Sequence, residues 1–180
     1  DGTISAANAT LNGGDDTIDG GAGDNWIFGD GEINNATVAL LVGGNDTITT
    51  GGIPLMPGAA GVNGDGKINS NVAGATATIN GGKDTITVTG NLDQNITGEG
   101  TIFLNNGGSA TINGDADMLV GGSGDDQLSG EGALHLRNGA VGVVNGAGDS
   151  LDGGSGNDVI YGDAVIDALD STITINGGDD

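Results

Sequence analysis

The chain has 180 residues, with 40 glycines, 2 prolines, 2% aromatic residues, and 25 Asp and Glu against 3 Lys and Arg, for a formal net charge of −22. The absence of cysteine excludes disulfides, thiolate metal sites and thiol nucleophiles, and a single histidine, His135, argues against a histidine zinc site or a His-dependent triad. Such acidity excludes nucleic acid and anionic membrane surfaces as partners, and no apolar stretch approaches the roughly 18 residues of a membrane span, so no membrane insertion is expected.

Two motifs alternate along the chain. Asn-Gly-x-x-Asp-x-Ile/Leu opens as NGGDDTI at Asn12, carrying Asp16, and is followed by a predicted strand from Trp26 to Phe28 and by Asp30 in a Gly-Asp-Gly turn. A strand predicted from Thr37 to Val42 leads into the variant VGGNDTI with Asp46, and Asp65 stands in the next Gly-Asp-Gly. NGGKDTI from Asn80 carries Asp84 and runs into a strand from Thr85 to Thr89. Glu99 then precedes a strand from Thr101 to Leu104, and NGDADML from Asn113 supplies Asp117. Glu131, a strand from Val141 to Val144 and NGAGDSL with Asp149 follow. The chain closes with a strand from Asp158 to Tyr161, Asp163, a strand from Ser171 to Ile175, and a truncated NGGDD ending at Asp180.

One acid thus recurs every 14 to 19 residues. Short β-forming runs broken by glycine predict an all-β parallel roll or β-solenoid rather than helices. The simplest coil has two strands and two turns per circuit of about 14 to 19 residues, with the acids in one column on one edge. Eleven such circuits would stack to roughly 50 Å. Residues 1–180 read as a single repeat domain, with modules starting near 1, 30, 65, 99, 131 and 163. Both ends fall inside a repeat, so the chain reads as a fragment of a longer protein.

Gly121 to Ser129 (GGSGDDQLS) and Gly153 to Tyr161 (GGSGNDVIY) fit GGxGxDxUx throughout, and Gly20 to Phe28 (GGAGDNWIF) fits except for Asn25 at the Asp position. This nonapeptide resembles the RTX, or haemolysin-type, calcium-binding repeat. The resemblance implies turns whose Asp carboxylates and carbonyls hold several Ca²⁺ between neighbouring coils. It gives that role to Asp126 and Asp158, with Asn25 a weaker neutral substitute. By the same offset from Ile or Leu it extends to Asp16, Asp46, Asp84, Asp117 and Asp149. The second-motif acids Asp30, Asp65, Glu99, Glu131 and Asp163 join the expected metal set. Ca²⁺ suits such a chain, since it takes six to eight oxygens in a tolerant geometry. The distal ligand edge looks rich only in the C-terminal half, because Gln94 and Ala60 stand where Asp126 and Asp158 stand later. Loops such as Arg137 to Ala140 carry no acid.

Other features have plainer readings. Asn63 to Ile68 imitates part of an EF-hand loop, but Gly61 and Val72 occupy its key acidic positions. Residues 53–58 (IPLMPG) read as an exposed insertion, His135 as an outward surface side chain, and Trp26 and Tyr161 as packed or capping aromatics. Nothing accompanies the paired acids to make a catalytic site, so no enzyme is expected.

The expected function is a calcium-binding structural repeat region, extracellular or on a cell surface, that folds on Ca²⁺ after export. RTX-like proteins typically leave by type I secretion, and the parent could be an adhesin, a surface-layer (S-layer) protein or a secreted enzyme. Eight to eleven ions, one per turn, would nearly cancel the charge. Expected partners are calcium ions and flanking repeats, and open solenoid ends leave room for end-to-end self-association. The alternative is a surface-binding solenoid, contacting glycan or ice through rows of Thr such as Thr85 to Thr89.

Overall fold

The computed structural model describes residues 2–22, 25–51, 61–90 and 93–180. The insertion at 53–58 lies outside them. Described residues form strands and turns only. The first circuit comprises β1 (Thr3–Ile4), β2 (Asn8–Asn12), β3 (Thr17–Gly21) and β4 (Ile27–Phe28). The second comprises β5 (Gly31–Asn34), β6 (Val38–Val42), β7 (Thr47–Thr50) and β8 (Val62–Asn63). The third has β9 (Gly66–Ser70), β10 (Ala75–Asn80), β11 (Thr85–Val88) and β12 (Asn95–Thr97). The fourth has β13 (Gly100–Leu104), β14 (Gly108–Asn113), β15 (Met118–Val120) and β16 (Gln127–Ser129). The fifth has β17 (Gly132–Leu136), β18 (Val141–Asn145), β19 (Ser150–Asp152) and β20 (Val159–Tyr161), and β21 (Ala164–Ala168) and β22 (Thr172–Asn176) begin another.

Every fourth strand pairs in parallel, giving four sheets. Sheet A holds β1, β5, β9, β13, β17 and β21, and sheet B holds β2, β6, β10, β14, β18 and β22. Sheets C and D have five strands each, starting from β3 and β4. The chain is therefore a parallel β-solenoid of about five turns, as the repeat predicts, but the expected circuit is corrected. Ile4, Ile33, Ile68, Ile102, Leu134 and Ile166 lie in register, so one circuit takes 29 to 35 residues and four strands. The stack is about half as tall as eleven two-strand circuits would be, roughly 25 Å.

The reason is a division of the core. Sheets A and B enclose one aliphatic cluster, including Leu41, Ile68, Ile79, Ile102 and Leu134, and sheets C and D enclose a second, including Ile48, Ile86, Ile96, Leu119 and Leu128. Alternation along each strand supplies one inward residue per two, the period that a two-faced strand requires. Between the clusters the chain crosses twice per circuit, once from sheet B to sheet C and once from sheet D to sheet A. Both acid motifs sit at these crossings. Instead of one exposed edge column, the structure forms two facing columns inside the molecule.

Trp26 and Tyr161 are corrected from packed to outward positions, at 54% and 41% exposure. The loops between sheets A and B are not wholly acid-free, since Asp170 occupies the last of them with φ 53°. His135 faces outward on sheet A. Its ring stacks on Phe103 with centroids 4.3 Å apart, and its Nδ1 lies 3.3 Å from the Asp167 carboxylate.

Candidate metal centre

The first column is built by the Asn-Gly-x-x-Asp turns. Each carboxylate reaches back one coil: Oδ1 of Asp46 accepts the Asp16 N–H at 2.7 Å, and Asp84 and Asp117 accept those of Asp46 and Asp84 at 2.7 Å. Asp149 accepts from Asp117 at 2.9 Å and Asp180 from Asp149 at 3.2 Å. The second oxygen of each is aimed at the opposite crossing. It enters the space that a Cβ would occupy at Gly29, Gly64, Gly98, Gly130 and Gly162, respectively. The carbonyl oxygen of the next glycine in that series converges on the same space from Gly64, Gly98, Gly130 and Gly162. Any side chain there would displace both oxygens, so glycine before each second-motif acid is a steric requirement.

The second column is built by those acids. Asp30 accepts the N–H groups of Gly14 and Gly44, each at 3.1 Å. Glu99 accepts from Asp115 at 2.7 Å, Glu131 from Ala147 at 2.5 Å and Asp163 from Gly178 at 3.0 Å. Asp65 accepts nothing: both of its oxygens are buried without a partner. Asp16, Asp30 and Asp46 bring carboxylate oxygens within 4.8 Å of one another, and Asp46, Asp65 and Asp84 do the same.

From Asp30 to Asp149 the central carboxylates are buried with too few donors, whereas Asp16, Asp163 and Asp180 at the ends of the columns are not buried. Unpartnered buried oxygens remain on Asp46, Asp65, Asp84, Glu99, Asp117, Glu131 and Asp149 in the central columns. Buried polar groups are rarely left so, and buried charges pair with cations. Burial, with neighbouring carboxylates adding to it, pushes Asp65 up to about 10, Asp117 to about 9, Asp84 and Glu131 to about 8, and Asp46 and Asp149 to about 6. Glu99 is raised well above its ordinary value, and Asp30 is raised, both chiefly by burial.

A third column lies at the far turns between sheets C and D. There Oδ1 of Asp126 accepts the Gln94 N–H at 2.8 Å, and Asp158 accepts that of Asp126 at 3.0 Å. Asp126 keeps one buried unpartnered oxygen and is raised to about 6 by burial. The GGSG turns fold through Gly122 (φ 96°) and Gly154 (φ 85°), where a Cβ would be strained. Asn25 stands at the same turn of the first circuit, with its side-chain amide 3.2 Å from Thr50 Oγ1.

Sequence reasoning gathered these acids on edges. The structure puts Asn25, Asp126 and Asp158 on one edge and the remaining candidates in the central partition. Sequence reasoning counted Asp180 as the last acid of the series but left it out of the metal set, and it expected turn carbonyls without placing them at the glycines before the second-motif acids. The glycine preceding each second-motif acid was the available signal. The donor set is entirely oxygen, carboxylate and carbonyl, and matches a hard divalent cation of the Ca²⁺ kind.

The RTX calcium-binding nonapeptide repeat family matches this chain in 4 copies, over residues 9–34, 111–133 and 144–169. No significant match was found among curated proteins or solved structures.

Proposed function

We propose that this chain, which the RTX calcium-binding nonapeptide repeat family matches over residues 9–34, 111–133 and 144–169, is a structural module whose solenoid is completed by several Ca²⁺ ions in the central partition, with further ions at the Asp126 and Asp158 turns. The ligand set is Asp16, Asp30, Asp46, Asp65, Asp84, Glu99, Asp117, Glu131, Asp149 and Asp163, with Asp180 and the glycine carbonyls. The observation that carries this reading is the row of buried, unpartnered carboxylate oxygens facing converging carbonyls. The module works as a load-bearing or display segment without catalysis, outside the cell or on its surface, where millimolar calcium is met after export.

Dialysis against 5 mM CaCl₂ followed by elemental analysis tests it. Several ions per chain are expected, and a value below one would refute the proposal. Asp126 and Asp158 replaced by Asn should lower the count by one or two without abolishing folding.

A steric test follows from the glycines. Gly64→Ala should weaken calcium-dependent folding about tenfold or more, because its Cβ would overlap the Asp84 carboxylate and the Gly98 carbonyl. Gly14→Ala meets no atom within 4 Å and should leave the midpoint of a calcium titration unchanged. Equal midpoints for the two variants would contradict the assigned geometry.

A further inference from the structure

Sheet B is the widest face of the solenoid, six strands of five or six residues, and none of its outward side chains is charged. In a chain of net charge −22 that is unusual. Sheet A turns Glu32, Lys67 and Asp167 outward, and sheet C turns out Asp19 and Asp152. Sheet D is uncharged but only two or three residues wide.

The uncharged face has an order along the stack. The second strand, β6, presents Val38, Leu40 and Val42, and the fifth, β18, presents Val141 and Val143. Val38 and Val141 are 48% and 46% exposed, an uncommon cost for β-branched residues on a face that no element among the described residues covers. The other four strands show hydroxyls and amides, and along the last rank an amide ladder runs from Asn80 through Asn113 and, on β18, Asn145 to Asn176 at 2.7 Å per step. In the first two ranks, read from β2 to β22, the face is polar, apolar, polar, polar, apolar, polar, whereas in the third only Val42 on β6 is apolar and Asn145 stands on β18. The order of the first two ranks is its own reverse.

We propose that sheet B is a self-association surface, on which a second copy of this chain packs face to face about a two-fold axis running along the strands between β10 and β14. The rotation reverses the stack and keeps positions along each strand. It therefore sets Val38 over Val141 of the second copy and Leu40 over its Val143, twice by symmetry, as an isologous interface requires. Charge also selects the second copy, because two strongly acidic chains can approach closely only through a face that carries no acid. Six strands about 4.8 Å apart, with three outward residues each, cover about 29 by 20 Å. The pair buries on the order of 1,100 Å², at the lower bound for a specific interface, so the dimer is weak, with dissociation on the order of 100 µM. The inference rests on the folded solenoid and not on which ion completes it.

Sedimentation velocity from 10 µM to 1 mM protein in calcium tests it. The sedimentation coefficient of the parent chain should rise with concentration toward that of a dimer. Val38→Lys and Val141→Asp, both at exposed positions, should each weaken association at least tenfold while keeping the parent's circular dichroism. An equimolar mixture of the two should regain association, since one of the two contacts then joins an ammonium to a carboxylate. A parent chain that stays monomeric throughout overturns the proposal. Variants that associate as the parent does place the contact elsewhere, for instance end to end, and also overturn it. A mixture that fails to recover rules out the two-fold register.

Discussion

In EDTA at pH 7.5 the far-UV circular dichroism of this chain should be that of a coil, and adding Ca²⁺ should restore a β spectrum cooperatively near millimolar concentration. The two central columns explain why. Neighbouring carboxylates separated by about 5 Å repel by about 3 kcal/mol per pair at an effective dielectric of 20. The partition contains many such pairs, whereas a whole domain is stable by only about 5–15 kcal/mol. Both cores are thin and aliphatic, with alanine or glycine at Ala39, Ala77, Ala110 and Gly142 along one inner row. They cannot offset that repulsion. A divalent cation cancels it and satisfies the unpartnered oxygens, so binding free energy becomes folding free energy. Mg²⁺ at the same concentration should not substitute. It demands near-octahedral geometry at shorter distances and gives up its waters reluctantly, whereas these ligands come from separate coils with fixed spacing. A β spectrum that survives EDTA unchanged would sink the folding switch.

Acid should do part of what calcium does. Without the cation, Asp65, Asp84, Asp117 and Glu131 are pushed up to about 10, 8, 9 and 8 in the folded chain, against ordinary values of 3.8 for Asp and 4.5 for Glu. The cause in each case is chiefly burial, so the folded chain binds more protons than the unfolded chain across that interval. Stability then falls as pH rises: it is fully present below about pH 4 and is lost progressively as pH climbs through the folded values. By pH 7 the loss is about 4 kcal/mol for each of Asp65 and Asp84. Titrating the EDTA-treated chain from pH 7.5 down to pH 4 should therefore increase the β signal. Dilute samples are needed, because the sequence pI is about 4.1. With calcium present the dependence reverses, since the ion needs the carboxylates deprotonated, and its apparent affinity should rise with pH. A coil spectrum that persists to pH 4 in EDTA would show that carboxylate repulsion is not what holds the ion-free chain open.

Much of the fold was legible in the sequence. The regular return of Asp or Glu among glycines, with aliphatic residues two positions later, suffices for a parallel solenoid. Several strands were not foreseen, among them β2, β9 and β14, whose Asn-, Gly- and Lys-containing segments do not look β-forming. They are strands because the coils above and below pair with them, as Ile68 pairs with Ile33 and Ile102. The acids themselves were legible as a set, but not their burial. Asp65 read as one acid of an edge column, and it is a fully buried side chain with two unpartnered oxygens.

What the sequence by itself determined is the repeat, the parallel stacking it enforces, and the all-oxygen chemistry of its turns, because these depend on local residue types at fixed offsets. What only the tertiary structure decided is how many turns make a circuit and where the acids meet. Both motifs share a similar spacing, so periodicity cannot distinguish a two-strand coil with an acidic edge from a four-strand coil with an acidic interior. Packing settles it: Asp30 reaches the backbone of Gly14 and Gly44 across the partition, and Asp46 fills the space left open at Gly29. These contacts join residues 14 to 17 positions apart and those of the next coil, and no local rule contains them.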